Sequence, residues 1–114
     1  MRVVHEATGE VLATEVEVAE SLLATLRGLR FRRSFPADHA LVFDFDAAAR
    51  RDVDMLFVPF PIDVLWLVEG RVERVGTLRA WLDLAVARAD TVIELPDGAA
   101  AGVSRGDAVR IEGR

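Results

Sequence analysis

The chemistry open to this chain is narrow. A serine or threonine nucleophile needs a base within hydrogen-bond reach, and the chain's only histidines are His5 and His39. His5 lies on the opening strand, where a partly exposed structural histidine is the ordinary outcome. His39 closes the loop Phe35-Pro36-Ala37-Asp38-His39, and no G-x-S-x-G element exists to pair with it. Asp38, His39, Asp44 and Asp46 carry enough donors for a hard or borderline divalent ion. Their spacing matches no established metal loop, and solvation of an acidic turn accounts for them. No glycine-rich phosphate loop is present, and the absence of cysteine excludes disulfides and thiolate sites. No catalytic residue, metal or cofactor is therefore assigned.

Two features remain that could bind something. Arg27, Arg30, Arg32 and Arg33 crowd one turn, with Arg50 and Arg51 further on. Cations at a helix C-terminus complement its dipole; read functionally, the same cluster is a basic patch for an anionic ligand. Asp63 stands between Ile62 and Val64 in the most apolar part of the chain. A carboxylate there must find hydrogen-bond donors or take up a proton. It either fixes the bend after Pro59 and Pro61 or anchors a pocket beside Phe60, Trp66 and Trp81. The candidate ligand-binding set is Arg27, Arg30, Arg32, Asp63 and Trp66. The expected function is a small binding or accessory module for a small anionic ligand or a protein partner. The alternatives are a hydrolase-like enzyme using Asp63 or His39, and a structural subunit of an oligomer. A net charge of −5 argues against a nucleic-acid surface.

Composition bounds the setting. The 114 residues suit a single domain over 1–114. Lysine, asparagine, glutamine and tyrosine are absent, and all 14 basic residues are arginine against 19 acids. A lysine-free acidic chain fits a salt-loving source, with a GC-rich genome as the plainer explanation. The longest apolar run, Met55 to Ile62, falls far short of the roughly 20 residues of a membrane helix. The opening residues hold no signal-peptide core, so a cytoplasmic protein is expected.

The elements that must position these residues are mostly strands. Arg2 to Glu6 and Glu10 to Val18 flank Ala7-Thr8-Gly9 as an opening hairpin. Leu22, Leu23, Leu26 and Leu29 recur at helical spacing behind Ser21 and before Gly28. Ala40 to Phe45 reads as a strand ending in an acidic turn at Asp44 to Asp46, and Ala47 to Asp52 as a mobile connector. Val53 to Val58 and Val64 to Val68, apolar on both faces, read as buried strands parted by Pro59-Phe60-Pro61. Glu69-Gly70 turns into Arg71 to Leu78, where a bulge near Glu73 or Arg74 restores the two-residue period. Leu78 to Arg88 fits a short helix or a packed loop. Thr91 to Leu95 and Ala108 to Glu112 close the chain as strands, with at most one or two helical turns over Ala99 to Val103.

The expected fold is α+β: a mostly antiparallel or mixed sheet curled into a barrel-like body, with one short amphipathic helix near residues 21–28. Three blocks add a resemblance. Arg27-Gly28-Leu29-Arg30-Phe31-Arg32 is similar to the RGLMFR block of the DUF192 family. Met55 with Phe60-Pro61-Ile62-Asp63 resembles its central MKNTxIPLD block. Thr91 to Pro96 with Gly98, Gly106 and Asp107 resembles its closing VLELPxG and GD elements. The chain departs where the family has Trp before the Met and Lys-Asn-Thr after it: here stand Asp54 and Leu56-Phe57-Val58. Thr25 replaces a common arginine. The resemblance implies a fold, and no activity; with the composition it suggests a haloarchaeal member.

Overall fold

Alternation of apolar and polar side chains dominates the computed structural model, which describes residues 1–113. The elements are β1 (Arg2–His5), β2 (Val11–Ala13), β3 (Glu15–Val18), α1 (Leu22–Arg27), β4 (His39–Asp54), β5 (Ile62–Val68), β6 (Arg71–Leu78), β7 (Leu84–Pro96) and β8 (Val109–Glu112). They form a three-stranded sheet, β2-β1-β8, and a five-stranded sheet, β3-β4-β7-β5-β6. Pairing is antiparallel except between β3 and β4.

Both faces of the five-stranded sheet are apolar because β5 is apolar on both. Ile62, Val64 and Trp66 point to one side, where Leu29, Met55 and Val58 pack over them. Leu65 and Leu67 point to the other, against Val3, Leu12 and Val109 of the small sheet. Trp66 is fully buried, and its indole N–H donates to the Arg51 carbonyl at 3.0 Å, which satisfies the polar end of an otherwise apolar side chain.

The α+β, barrel-like expectation is corrected: the fold is nearly all β and its sheets are open. The helical stretch α1 has six residues, too few to make a layer. Ser21 Oγ accepts from the Ala24 N–H at 3.0 Å, and Gly28 ends the turn at φ 51°. The side chains of Leu22, Leu23 and Leu26 lie outside the described residues. Closure fails at the outer strands of the large sheet: among the described residues, β3 has no strand partner on its free side and β6 meets the approach to β8 there only at the isolated Arg71–Ala108 bridge. Their charged residues, Glu15, Glu17, Arg71, Glu73 and Arg74, blunt those edges.

Several segments differ from their sequence expectations. Residues 44–52 are neither turn nor connector but part of the sixteen-residue β4, and 84–88 are strand, because the two pair with each other from Ala49–Ala89 to Asp54–Leu84. Strand β4 stops at Asp54: Leu56 N–H donates to Asp54 Oδ1, Val58 N–H to the Met55 carbonyl, and Phe57 takes φ 62°. Val53 to Val58 is therefore strand end and turn. The second arm of the opening hairpin divides, with β2 pairing β1 and β3 crossing to lie parallel to β4. The bulge on β6 is present. Trp66 faces Arg74 and Leu67 faces Val72, leaving Glu73 extra. Glu69 and Gly70, both at positive φ, make the tight turn before it.

Candidate functional site

The site begins with an irregularity in β4. Between the Asp44–Thr91 and Ala49–Ala89 pairs, β4 places Phe45 to Ala48 where β7 has only Asp90. Such an excess bends a strand. Arg51 secures the bend: it donates to the carbonyls of Ala47 at 2.8 Å and Ala89 at 3.3 Å, and its guanidinium lies 3.8 Å over the Phe45 ring. The distal half of β4 thereby reaches the same cavity as its proximal half.

That cavity has a volume of about 310 Å3. Phe43, Val53, Val58, Ile62 and Val92 supply apolar wall; Leu29 and Arg30 contribute from the turn after α1, and Arg50 and Asp52 from distal β4. Arg30 donates to the Asp54 carboxylate at the wall. Arg50 is exposed and makes no ion pair among the described residues.

Glu94 forms the polar floor. On β7 it sits between Leu41 of β4 and Val64 of β5, both in the apolar cluster of this face. It is 6% exposed, it lines the cavity, and no described residue donates a hydrogen bond to its carboxyl. Burial pushes the acid up from 4.5 to about 7; Arg30 and Arg32 draw it down and Asp54 adds to the rise. A carboxyl that is half protonated near neutrality can donate or accept a hydrogen bond.

Gly28 shapes the cavity wall. A β-carbon built there would lie 3.6 Å from Phe43 Cζ and 3.9 Å from Glu94 Oε1, ordinary contacts, so its φ of 51° is the obstacle to a side chain. Gly28→Ala should lower stability by about 1–2 kcal/mol, read as a lower urea midpoint at unchanged slope.

Of the candidate ligand-binding set only Arg30 lines the cavity, joined there by Arg50 and Arg51 of the wider arginine cluster. Arg27 is exposed on the last turn of α1. Arg32 pairs with Glu17 at 2.9 Å, its charge still acting on Glu94. Asp63 projects from β5 to the opposite face from Ile62. There it accepts from Thr77 Oγ1 at 2.8 Å and from the Ala100 N–H at 2.9 Å. Trp66 is buried against Arg51 outside the lining, with the Arg74 guanidinium 5.4 Å from its ring. His39 opens β4 on the surface, 3.7 Å from Asp38. His5 is buried, Nε2 being 2.8 Å from Asp107 and Nδ1 3.0 Å from Thr8 Oγ1. The Ser104 N–H and His5 hold the Asp107 carboxyl below its usual range. Among the described residues no three His, Asp or Glu side chains are grouped for a metal ion, and no helix is long and apolar enough to cross a membrane. Sequence reasoning missed Glu94. The signal was an acid on the same face of the strand as Val92, where alternation calls for an apolar side chain.

The three sequence blocks similar to DUF192 converge here: Gly28, Leu29 and Arg30 come from the first, Ile62 from the second and Glu94 from the third. The family model for DUF192, described as an uncharacterised ACR, matches residues 3–111. The chain belongs to the DUF192 family. Among solved structures, this DUF192 chain is similar to a Sinorhizobium meliloti 1021 protein proposed to be a transcription regulator. That likeness has 25% identity and a TM-score of 0.80 over 96% of this chain and 89% of that one. It is also similar to a protein of unknown function from Novosphingobium aromaticivorans DSM 12444, at 19% identity and a TM-score of 0.75, covering 97% and 93%. No curated protein matches the DUF192 chain. Nothing in these likenesses supports a haloarchaeal source.

Proposed function

We propose that this DUF192 chain is a single-domain binding module whose ligand is a small organic anion with an apolar body. The observation that carries this reading is Glu94, a buried carboxyl facing a cavity with no donor of its own. The carboxyl oxygens are open to the cavity and not sealed from it, so a ligand hydroxyl or N–H can reach Glu94 and hydrogen-bond to it. Arg50 at the wall, which makes no ion pair among the described residues, favours an anionic group on the same ligand. The cavity lies at the small end of ligand sites, which run from about 300 to 1,000 Å3, so a metabolite fits and a dinucleotide does not. Arg27 and Arg32 add to the field from outside. Asp63 and Trp66 hold β5 and the bend of β4 without touching the ligand.

An amide-resolved NMR titration with small carboxylates and phosphates, at low and at molar salt, tests the reading. Shifts should centre on Gly28, Arg30, Phe43 and Glu94 and weaken with salt, and Arg50→Ala should lower affinity about tenfold, the equivalent of about 1.4 kcal/mol. Shifts confined to other surfaces would contradict it.

One observation favours a second reading. A cavity carboxyl titrating near 7 is suited to acid–base catalysis at neutral pH, with Glu94 in the role first considered for Asp63 or His39. Turnover on any substrate that Glu94→Gln abolishes while leaving binding intact would establish it. The regulator role proposed for the S. meliloti protein would call for a cationic face. This chain has a net charge of −5, and carboxylates engage Arg30, Arg32, Arg79 and Arg110.

A further inference from the structure

Three loops meet where β4 ends and β7 begins, and each turns an aromatic ring outward. Phe31 is 68% exposed, Phe57 41% and Trp81 52%. Phe31 stacks on Phe57 with ring centroids 4.9 Å apart, and Trp81 meets Phe57 edge-on at 5.9 Å. All three residues have positive φ, at 66°, 62° and 65°, a conformation that bulky side chains avoid. Bonds between the loops hold it: Phe31 N–H donates to the Phe57 carbonyl at 2.8 Å, and Trp81 N–H to the Val58 carbonyl at 3.2 Å. Strained backbone of this kind persists where neighbouring structure over-determines it, and it clusters at functional sites.

Leu56, Leu82 and Leu84 extend the surface at 55%, 73% and 67% exposure. At about 200 Å2 for a fully exposed large side chain, the six present roughly 700 Å2 of apolar area. That exceeds the largest patch of a typical monomer, about 300–600 Å2, and approaches the roughly 800 Å2 per partner of a standard interface.

We propose that this surface joins two copies of the chain in a two-fold dimer. A two-fold interface must be self-complementary, and the charges beside the patch meet that condition. Arg30 with Asp54 stands beside Phe31 and Leu56, and Arg79 with Asp83 brackets Trp81 and Leu82. Each pair offers one cation and one anion, so a second copy can set its Asp83 against Arg79, and its Arg79 against Asp83. The patch is locally neutral on a chain of net charge −5, which removes the repulsion that two copies meet elsewhere. An anionic membrane or a polyanion would instead require cations not already held by carboxylates. The rings are stacked before association, which lowers the ordering cost of binding.

Sedimentation equilibrium from about 1 μM to about 1 mM spans the affinities of such interfaces. The mass should rise from 12.5 kDa to twice that, and acrylamide quenching of the exposed Trp81 should fall in parallel while buried Trp66 stays shielded. Leu82→Arg, at the most exposed of the six positions, should weaken association at least about 100-fold with an unchanged circular-dichroism spectrum. Leu84→Glu provides a second disruption should Leu82→Arg misfold. A monomer at every concentration overturns the proposal, as does a dimer that both variants leave intact. A monomer whose Trp81 fluorescence shifts to the blue on phosphatidylcholine vesicles overturns it too, and assigns the patch to a lipid surface.

Discussion

Asp63→Ala should destabilise the protein by about 3–5 kcal/mol, because it removes two hydrogen bonds to a buried carboxylate, each contributing about 1.5–3 kcal/mol. The Thr77 hydroxyl and the Ala100 N–H lose their acceptor together, and Ala100 is itself buried, so its N–H is left without a partner or water. The change unties the turn after β7 from the β5–β6 pair. Native domains are stable by only about 5–15 kcal/mol, so a third or more of the total is at stake. Asp63→Asn should cost about 1 kcal/mol, since its amide oxygen can accept from Ala100 while its NH2 donates to the Thr77 oxygen. Urea unfolding followed by tryptophan fluorescence separates the two variants. A loss below about 1 kcal/mol in Asp63→Ala would refute this account of the tie between β5 and the Ala100 turn.

Glu94→Gln should act in the opposite direction and only above acidic pH. The unfolded chain ionises Glu94 near 4.5, whereas the folded protein holds its proton to about 7. Between those values the unfolded state loses its proton first, so stability is full below pH 4.5, falls as pH rises, and levels off above 7. At about 1.4 kcal/mol for each pH unit between the two values, the wild type should lose on the order of 3 kcal/mol across the window. The glutamine variant should lose none of that, leaving it more stable at pH 8 and little changed at pH 4. Equal slopes of stability against pH in the two proteins would mean that Glu94 is ionised in the fold at neutral pH. A bound ligand that satisfies Glu94 would flatten the wild-type slope as well, which links this measurement to the titration proposed for the cavity.

The strand core was legible because its side chains alternate within a few residues. Val64 to Val68, the Glu69-Gly70 turn and the bulge at Glu73 all follow from the two-residue period and the conformations glycine permits. Ala47 to Asp52 was not legible. Three alanines and three charged residues have no apolar period, and they are strand because they pair with residues near Ala89, 38 positions beyond Arg51. The segment from Leu84 to Arg88 was ambiguous for the same reason. The part of the cavity wall made by Arg50, Arg51 and Asp52 therefore lay in a stretch whose structure depends on a distant partner.

The sequence by itself determined which chemistry is available, which family the chain belongs to, and that Asp63 is a carboxylate in an apolar strand needing donors. Composition and local period suffice for these, since they depend on a residue and its near neighbours. Only the tertiary structure decided which acid stays without a donor. Asp63 and Glu94 both sit among apolar residues of buried strands, yet Asp63 faces Thr77 and the Ala100 N–H, whereas Glu94 faces open volume beside Gly28. Which side of the sheet offers donors and which offers a cavity depends on strands and turns far apart in the chain, and the alternation of side chains within one strand carries no record of that.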